Sequence, residues 1–308
     1  MSAKPRRGAP ALRDDEEDLA MILVTGATGN VGGQAVRQLH AAGESVRALV
    51  RTPGKAAFPE GVEEVVGDLS DPASLEGAFN GADAVFLVWP LFGAETAPAV
   101  IEAAAHHTEQ VVYLSSAGVD DAALEQGDAI NDFHGQIELL LARSGLRWTA
   151  VRGGGFASND LGWAERVRQG ATSIATPFPG AVRSVVHEGD LAAAAVHVLT
   201  APDGGKRHDG KKYTVTGPEI LSEAERIAIV GETVGRPIGA EPMPLDEARA
   251  ELIASGLPAE YADGILEAHA EFAAPGHTEE LHTVQELTGE APRTYRQWVA
   301  DHLADFRP

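Results

Sequence analysis

The sequence predicts an α/β protein built on a doubly wound parallel sheet, and three observations support this fold class. Short apolar segments typical of strands alternate with helical patterns through the first half of the chain, as in consecutive strand–helix–strand units. The first of these strands runs directly into a glycine-rich turn, and a helical pattern follows the turn at once. The chain has 308 residues, 44% of them hydrophobic, which suits one large domain or two modest ones.

The strands are predicted at apolar runs bounded by turn residues. In chain order these runs are MILV, SVRALVR, VEEVVGD, DAVFLVW, VVYLSS and RWTAVRG. Helices are predicted between them, and residues 129–145 give a clear amphipathic pattern, with Phe133, Ile137, Leu140 and Leu141 on one face. Two later segments, SVVHEGDLAAAAVHVL and KKYTVTG, predict a helix and a strand that return to the sheet.

Composition excludes several classes of protein. The formal net charge of −22 disfavours binding to nucleic acid, because an acidic surface repels phosphate backbones. The chain contains no cysteine, so it has neither disulfides nor cysteine metal sites, and no histidine–carboxylate spacing predicts a metal. No segment has the length of a membrane span, and the first twenty residues lack the apolar region of a secretory signal. We therefore expect no membrane association and a cytoplasmic location.

The glycine-rich turn carries the strongest functional signal. GATGNVG places Gly26, Gly29 and Gly32 between a strand and a helix, the context in which such glycines let a backbone approach a pyrophosphate. The amide groups at the start of the helix would then face the phosphates. The sequence thus predicts a Rossmann-type dinucleotide site that also includes Thr28, Asn30 and Val31.

The ends of the next strands complete the predicted cofactor site. Arg51 closes the second strand, where an NAD-preferring site usually has an acidic residue, and its guanidinium suits the 2′-phosphate of NADP(H). We therefore expect NADP(H) to be preferred over NAD(H). Asp68 and Leu69 close the third strand and would flank the adenine, although Asp68 could instead be a helix cap or turn residue. Val88 and Trp89 close the fourth strand, where the chain crosses the cofactor.

Together these segments resemble the NmrA-like NAD(P)-binding proteins of the atypical short-chain dehydrogenase/reductase group. The matching text includes ILVTGATGNVG, GDLSDPASLEGAFNGADAVFLV, VVYLSSAGV, SGLRWTAVRGGGF and GKKYTVTGPEILS. The resemblance implies a dinucleotide-binding core at residues 21–156, with residues 182–217 returning to it. It also implies a smaller, mostly helical substrate-side lobe at residues 157–181 and 218–308. Residues 1–20 are predicted to be a disordered extension.

The helix at residues 129–145 departs from the wider superfamily. Glu138 matches the family's helix glutamate. By the spacing from it, His134 occupies the position of the usual catalytic lysine, and Ile130 occupies that of the usual catalytic tyrosine. We expect His134 to contact the nicotinamide ribose and to be a candidate catalytic group, and Glu138 to be mainly structural. A helix-supporting His–Glu pair on the surface is the alternative.

Two serines follow the fifth predicted strand, where the superfamily has its catalytic serine. Ser116 is the candidate catalytic serine and Ser115 a candidate cofactor contact. The usual position could also fall on Ala117, and both hydroxyls could serve only the turn.

The remaining candidate residues would form a substrate pocket. Gly153 and Gly154 stand in a GGG segment where relatives often have proline, which would either widen access to the nicotinamide or loosen the loop. An apolar pocket is predicted from Trp89, Phe92, Phe156, Asn159, Trp163 and Tyr261, with Phe156 also touching the cofactor; core packing is the alternative for each aromatic.

Without the catalytic tyrosine, an unactivated ketone would be a poor substrate, because a placed acid typically contributes about 10²–10⁴-fold. The sequence therefore favours an NADPH-dependent reductase of a small quinonoid or conjugated carbonyl compound, with a homodimer as one possible assembly. The alternative is a non-catalytic NADP(H)-binding redox sensor that acts through a protein partner.

Overall fold

The computed structural model describes residues 20–123, 125–275 and 280–307. The predicted disordered extension, residues 1–20, lies outside this part of the chain except for its last residue.

The main sheet has seven strands, and every neighbouring pair in it is parallel. These strands are β1 (Met21–Val24), β2 (Ser45–Val50), β3 (Glu63–Val66), β4 (Ala84–Leu87), β5 (Gln110–Ser116), β6 (Arg147–Gly153) and β10 (Lys211–Val215). Their spatial order is β3–β2–β1–β4–β5–β6–β10. The chain therefore adds strands on one side of β1 up to β3 and on the other side from β4 onward. Ligands in such sheets bind beyond the carboxyl ends of the strands at this point. The predicted doubly wound parallel sheet is confirmed.

Helices cover both faces of this sheet and extend through the C-terminal part of the chain. They are α1 (Asn30–Ala41), α2 (Glu76–Phe79), α3 (Ala97–His107), α4 (Ala129–Arg143), α5 (Ala164–Arg168), α6 (Glu188–Leu199), α7 (Glu223–Val234), α8 (Leu245–Ala254), α9 (Ala259–Phe272), α10 (Val284–Thr288), α11 (Tyr295–Asp301) and α12 (Leu303–Phe306). Short 3-10 helices lie at Pro72–Ser74, Ala157–Trp163 and Lys206–His208.

Two hydrophobic cores lie on opposite faces of the sheet. In the first core, α1 and α6 pack on one face through side chains such as Val36 and Val198. In the second core, α2, α3 and α4 pack on the other face through side chains such as Phe79 and Ile137. Strand residues alternate between the two cores because successive side chains of a strand point to opposite faces, so Val112 joins the first core.

A third core, centred on the fully buried Trp298, holds the later part of the chain together. Two small sheets lie around it, with the strands β7 (Gly155–Phe156), β8 (Ser173–Thr176), β9 (Val182–Val186), β11 (Ile220–Ser222) and β12 (Gly239–Pro242). β9 pairs in parallel with β7 and antiparallel with β11, whereas β8 pairs with β12. Of residues 182–217, then, α6 and β10 join the main sheet but β9 does not.

The start of α4 is fixed by its own sequence. Asp128 is the residue before the helix, and its carboxylate accepts hydrogen bonds of 2.9 Å from the amides of Ile130 and Asn131. Such a cap satisfies amide groups that the helix itself cannot pair. Because α4 follows β5, this capped end lies at the carboxyl edge of the sheet, and the first turns of α4 lie beside the expected ligand crevice.

Candidate cofactor-binding and active site

The glycine turn between β1 and α1 is shaped for close approach. Gly26 has a φ of +56°, a conformation that side chains disfavour, and its carbonyl accepts a 2.9 Å hydrogen bond from the amide of Gly29. A Cβ at Gly32 would overlap the Gly26 carbonyl, lying 2.7 Å from its carbon. A Cβ at Gly26 would lie 2.9 Å from a methyl of Val88, so the turn also contacts the segment after β4. Gly26 and Gly32 therefore require glycine, whereas a Cβ at Gly29 would only lie close to the Gly26 carbonyl oxygen, at 3.2 Å.

The amino end of α1 offers unpaired amide donors. Gly29 precedes the helix, and no side chain caps it. The first amides of the helix, at Asn30, Val31 and Gly32, have no partner within the helix because the fourth residue back lies outside it. Such donors, together with the helix dipole, fit a diphosphate group. Thr28, Gly29 and Asn30 are exposed and therefore accessible.

A cavity of about 240 Å³ lies beside this helix end. It is lined by Ala27, Thr28, Gly29, Asn30, Gly33, Gln34, Arg37, Ala56, Ala57, Phe58, Glu188 and His302. Glu188 and His302 come from α6 and the junction of α11 and α12, far apart in sequence, and sequence reasoning did not find them. Their side chains bond to each other, with 2.6 Å between Nε2 of His302 and a carboxylate oxygen of Glu188. This pairing raises the pKa of His302.

The residues predicted for the adenosine end lie at the carboxyl ends of β2 and β3. Arg51 is exposed, and Leu69 is buried. The carboxylate of Asp68 accepts hydrogen bonds from the amide and hydroxyl of Ser70, at 2.9 and 2.8 Å. These bonds lower the pKa of Asp68, and the charge of Arg51 adds to the effect. Asp68 is thus a turn-forming residue in this structure, and its contact with adenine stays a prediction.

Glu138 is the centre of a buried ionic network at the ends of β5 and β6. Its carboxylate accepts a 2.6 Å hydrogen bond from the hydroxyl of Ser115 and bonds of 2.9 and 2.7 Å from Arg152. Arg152 also donates to the carbonyl of Val119 and to Asp121, so it fastens the loop before α4 to the sheet. Sequence reasoning missed Arg152, although an arginine inside an apolar strand is a signal of such a pair.

The two serines after β5 serve different partners. Ser115 is buried, and its hydroxyl donates its proton to Glu138, so its contact with the cofactor stays a prediction. Ser116 is partly exposed, and its oxygen accepts a long hydrogen bond of 3.2 Å from the amide of Gly118. The catalytic role of Ser116 stays a prediction.

His134 lies one helical turn before Glu138 and contacts a tyrosine of β5. The hydroxyl oxygen of Tyr113 is 2.6 Å from Nδ1 of His134, and Tyr113 is fully buried. Burial lowers the pKa of His134 from 6.5 to about 4, against the opposing charges of Glu138 and Asp128. The imidazole is therefore neutral at physiological pH. Tyr113 lies within a strand and was not among the predicted site residues, so this contact was not predicted from the sequence.

Two of the predicted aromatic residues pack against each other, and a third is buried in the second core. Phe92 packs edge-on against Tyr261 of α9, with ring centroids 5.0 Å apart, and Phe133 of α4 lies 6.4 Å from Tyr261. Trp89 is buried in the second core, and its indole N–H donates 2.8 Å to the carbonyl of Gly93, which closes the loop after β4. Phe92 is 52% exposed and is the one of these rings that faces solvent.

The segment after β6 is also held by close contacts. A Cβ at Gly153 would overlap the ring of Phe156, and one at Gly154 would lie 3.2 Å from a methyl of Thr216. The GGG segment thus lets Phe156 fold back over β6, which favours a packing role over a loose loop. Asn159 is exposed, whereas Trp163 packs against the third core and Tyr261 belongs to the second.

A second buried polar cluster lies at the third core. The hydroxyl of Tyr295 donates 2.7 Å to Asp160, and Arg226 lies 3.5 Å from the same carboxylate. A carboxylate oxygen of Glu223 lies 3.4 Å from Nδ1 of His269 in α9. Burial lowers the pKa of His269 to about 4. Burial raises the pKa of Asp160, with Arg226 and Tyr295 opposing. No sequence signal marked this cluster, because its members are far apart along the chain.

Across residues 20–123, 125–275 and 280–307, no group of three or more histidine, aspartate or glutamate side chains is arranged to hold a metal ion. Within the same ranges no helix has the length and apolar character needed to cross a membrane.

The fold and the glycine turn define a Rossmann-type nicotinamide-dinucleotide-binding protein. Residues 26–202 match the family model described as NAD(P)H-binding, and the chain belongs to that family. The uncapped helix end and the glycine turn fit the diphosphate of this cofactor.

Two curated relatives match over nearly the whole chain. The (4-alkanoyl-5-oxo-2,5-dihydrofuran-3-yl)methyl phosphate reductase of Streptomyces griseus is 36% identical, over 94% of this chain and 100% of its own. The NAD(P)H azoreductase of Xenophilus azovorans is 34% identical, over 93% and 99%. Both names describe reductases, which supports NAD(P)H-dependent reduction as the class of activity.

A solved structure shows the same fold. The quinone oxidoreductase of Escherichia coli in complex with NADPH superposes with a TM-score of 0.74 at 24% identity, covering 92% of this chain and 100% of its own. At that identity the likeness speaks for the fold alone.

Proposed function

We propose that this protein is an NADPH-dependent reductase of small conjugated electron acceptors, such as quinones and α,β-unsaturated carbonyl compounds. When bound, the cofactor supplies a hydride. The amides at the start of α1 would hold its diphosphate, and Arg51 would bind the 2′-phosphate.

The preference for conjugated acceptors rests on the pKa shifts and hydroxyl contacts of the tyrosines. A tyrosine that donates a proton to a carbonyl oxygen needs a lowered pKa and a free hydroxyl. The chain has four tyrosines, and each has a raised pKa, with burial as the largest cause. Tyr113, Tyr213 and Tyr295 also place their hydroxyls against His134, His208 and Asp160. None of the four tyrosines therefore combines a lowered pKa with a free hydroxyl.

Conjugated acceptors do not need such a donor at the hydride-transfer step. The negative charge left by the hydride spreads over the conjugated system and reaches an oxygen or nitrogen that water can protonate later. The names of the relatives agree with this chemistry. A 5-oxo-2,5-dihydrofuran is an unsaturated lactone, and an azo compound is reduced at a conjugated N=N bond.

Specificity for NADPH is assigned to Arg51. It is exposed at the carboxyl end of β2, and no acidic side chain stands at that position to bind the ribose 2′-hydroxyl. A charge-assisted hydrogen bond contributes about 1.5–3 kcal/mol, which corresponds to roughly a 10–100-fold difference in affinity.

The test combines an acceptor panel with one substitution. NADPH oxidation is followed with a naphthoquinone, an unsaturated lactone, an azo dye and, as the unactivated comparison, cyclohexanone. We expect turnover with the conjugated compounds and none with cyclohexanone. Arg51→Ala should weaken NADPH binding about 10–100-fold and leave NADH binding unchanged. Arg143→Ala is the matched control. It removes an exposed arginine at the carboxyl end of α4 and should change the affinity for neither cofactor.

Three results would overturn the proposal. Equal turnover of cyclohexanone would refute the acceptor class, and equal affinities for NADPH and NADH would refute the cofactor preference. Tight NADPH binding without turnover of any acceptor would instead support the non-catalytic sensor.

A further inference from the structure

The contact between Tyr113 and His134 joins a fully buried phenol to the helix turn beside the expected ligand crevice. The 2.6 Å separation of the phenol oxygen and Nδ1 is a short hydrogen bond. Tyr113 comes from the middle of β5, and His134 from the second turn of α4. Both elements are fixed by the second core, so the contact is rigidly placed.

Both groups are neutral at physiological pH. Burial and the charge of Glu138 raise the pKa of Tyr113 well above its usual value of 10.0, so the phenol keeps its proton. Burial lowers the pKa of His134 to about 4, so the imidazole carries one proton on either Nδ1 or Nε2. The hydrogen bond can therefore run in only one of two directions.

Counting donors decides between the two directions. If Nδ1 carried the proton and donated it to the phenol oxygen, the hydroxyl proton of Tyr113 would need another acceptor. Among the described residues the phenol has no hydrogen-bond partner besides His134, and a buried donor without an acceptor costs about 1–3 kcal/mol. The phenol must therefore donate to Nδ1, and the imidazole proton must sit on Nε2.

The Nε2 atom faces away from this contact. It has no hydrogen-bond partner in the described part of the chain, and it is not among the buried polar atoms that lack one, so solvent reaches it. His134 is only partly buried, and it lies one helical turn before Glu138, which bonds Ser115 near the carboxyl end of β5.

We propose that Tyr113 is a positioning residue that holds His134 as its Nε2–H tautomer, so that His134 presents a neutral hydrogen-bond donor to an oxygen acceptor of the bound reactants. This inference rests on the proposed function. Two oxygens fit: a ribose hydroxyl of the cofactor, or the carbonyl oxygen of the conjugated substrate, on which negative charge develops. A neutral imidazole can stabilise that charge by donating a hydrogen bond without releasing its proton.

The tautomer is tested first, in the protein without cofactor. Long-range ¹H–¹⁵N spectra distinguish the two ring nitrogens of each histidine, and the signals of His134 are identified by their loss in His134→Gln. We expect the wild type to show protonated Nε2, and Tyr113→Phe to show a mixture of both tautomers. A wild-type protein with protonated Nδ1 would overturn the proposal, whatever the activity of the enzyme.

Binding and turnover then identify the acceptor. If Nε2–H bonds the ribose, Tyr113→Phe should weaken NADPH binding about 3–10-fold with kcat retained. If it bonds the substrate oxygen, kcat for an unsaturated lactone should fall by a similar factor with NADPH binding unchanged. A shifted tautomer with wild-type binding and kcat would refute the role of the donor.

Tyr213→Phe is the matched control. Tyr213 makes the same kind of contact, 2.8 Å from Nδ1 of His208, on β10 at the edge of the sheet. Its loss should leave the signals of His134, NADPH binding and turnover unchanged. If Tyr213→Phe reduced turnover as much as Tyr113→Phe, the effect would be one of general stability and the proposal would fail.

Discussion

Glu138 shows how one buried side chain supports the candidate site. Its side chain is 4% exposed, and its carboxylate bonds Arg152 and Ser115, which lie one residue before the ends of β6 and β5. Removing one partner of a buried ion pair leaves an uncompensated charge, which is far more costly than losing a surface pair.

We predict that Glu138→Ala lowers the free energy of unfolding by about 3 kcal/mol, the lower end for a broken buried pair because Arg152 keeps its contact with Asp121. Urea denaturation measures the change. Glu165→Ala removes an exposed partner of Arg168 and should leave the denaturation midpoint unchanged. Equal destabilisation by the two substitutions would contradict the structural role of Glu138.

At the scale of elements, the turn from β1 to α1 is the most constrained connection near the site. The Cβ of an alanine at position 32 would meet backbone atoms of Gly26 and Ala27, which cannot rotate away. We predict that Gly32→Ala weakens NADPH binding at least tenfold and destabilises the fold by about 1–3 kcal/mol, the usual cost of overpacking.

The measurement is NADPH titration with a parallel thermal melt. Gly77→Ala is the control: a Cβ at Gly77 of α2 meets no atom within 4 Å, so it should alter neither quantity. Normal NADPH affinity in Gly32→Ala would show that the turn does not hold the diphosphate.

The elements that sequence could predict are those with a repeating pattern. β1, β4, β5 and β6 are apolar on both faces, and α4 has an apolar stripe, so the parallel sheet and its helices follow from local sequence. β7, β9 and β11 have two to five residues and pair across long distances in the chain, which leaves no period to detect. The small sheets were therefore not predicted.

The candidate site divides in the same way. Gly26, Gly29 and Gly32 lie within seven consecutive residues, and their spacing between a strand and a helix is typical of a phosphate-binding turn, so this turn could be predicted. The contacts of Tyr113 with His134 and of Glu188 with His302 depend on tertiary packing, across 21 and 114 residues of the chain. Residue type alone cannot reveal such pairs.

For the whole molecule, buried neutral histidines make stability depend on pH. The folded state holds the pKa of His134 and of His269 at about 4, against 6.5 in an unfolded chain. Below pH 6.5 the unfolded state binds protons that the folded state does not, so stability falls as the pH drops toward 4.

We predict that His134 alone accounts for about 2 kcal/mol of the stability lost between pH 7 and pH 5, from a shift of 1.36 kcal/mol per pH unit below 6.5. Urea denaturation at the two pH values should give a smaller difference for His134→Gln than for the wild type. The exposed His40→Gln should keep the wild-type difference. An unchanged difference in His134→Gln would mean that its imidazole titrates normally in the folded protein.

The bonds made by α11 also set an order of events during synthesis. Tyr295 donates to Asp160, made 135 residues earlier, and Trp298 donates 3.0 Å to Glu188, made 110 residues earlier. On the ribosome, both carboxylates therefore emerge long before their partners. Until α11 arrives they can stay hydrated only if the third core remains open, so packing of that core must wait for the last helices, while the β1–β6 region can collapse sooner.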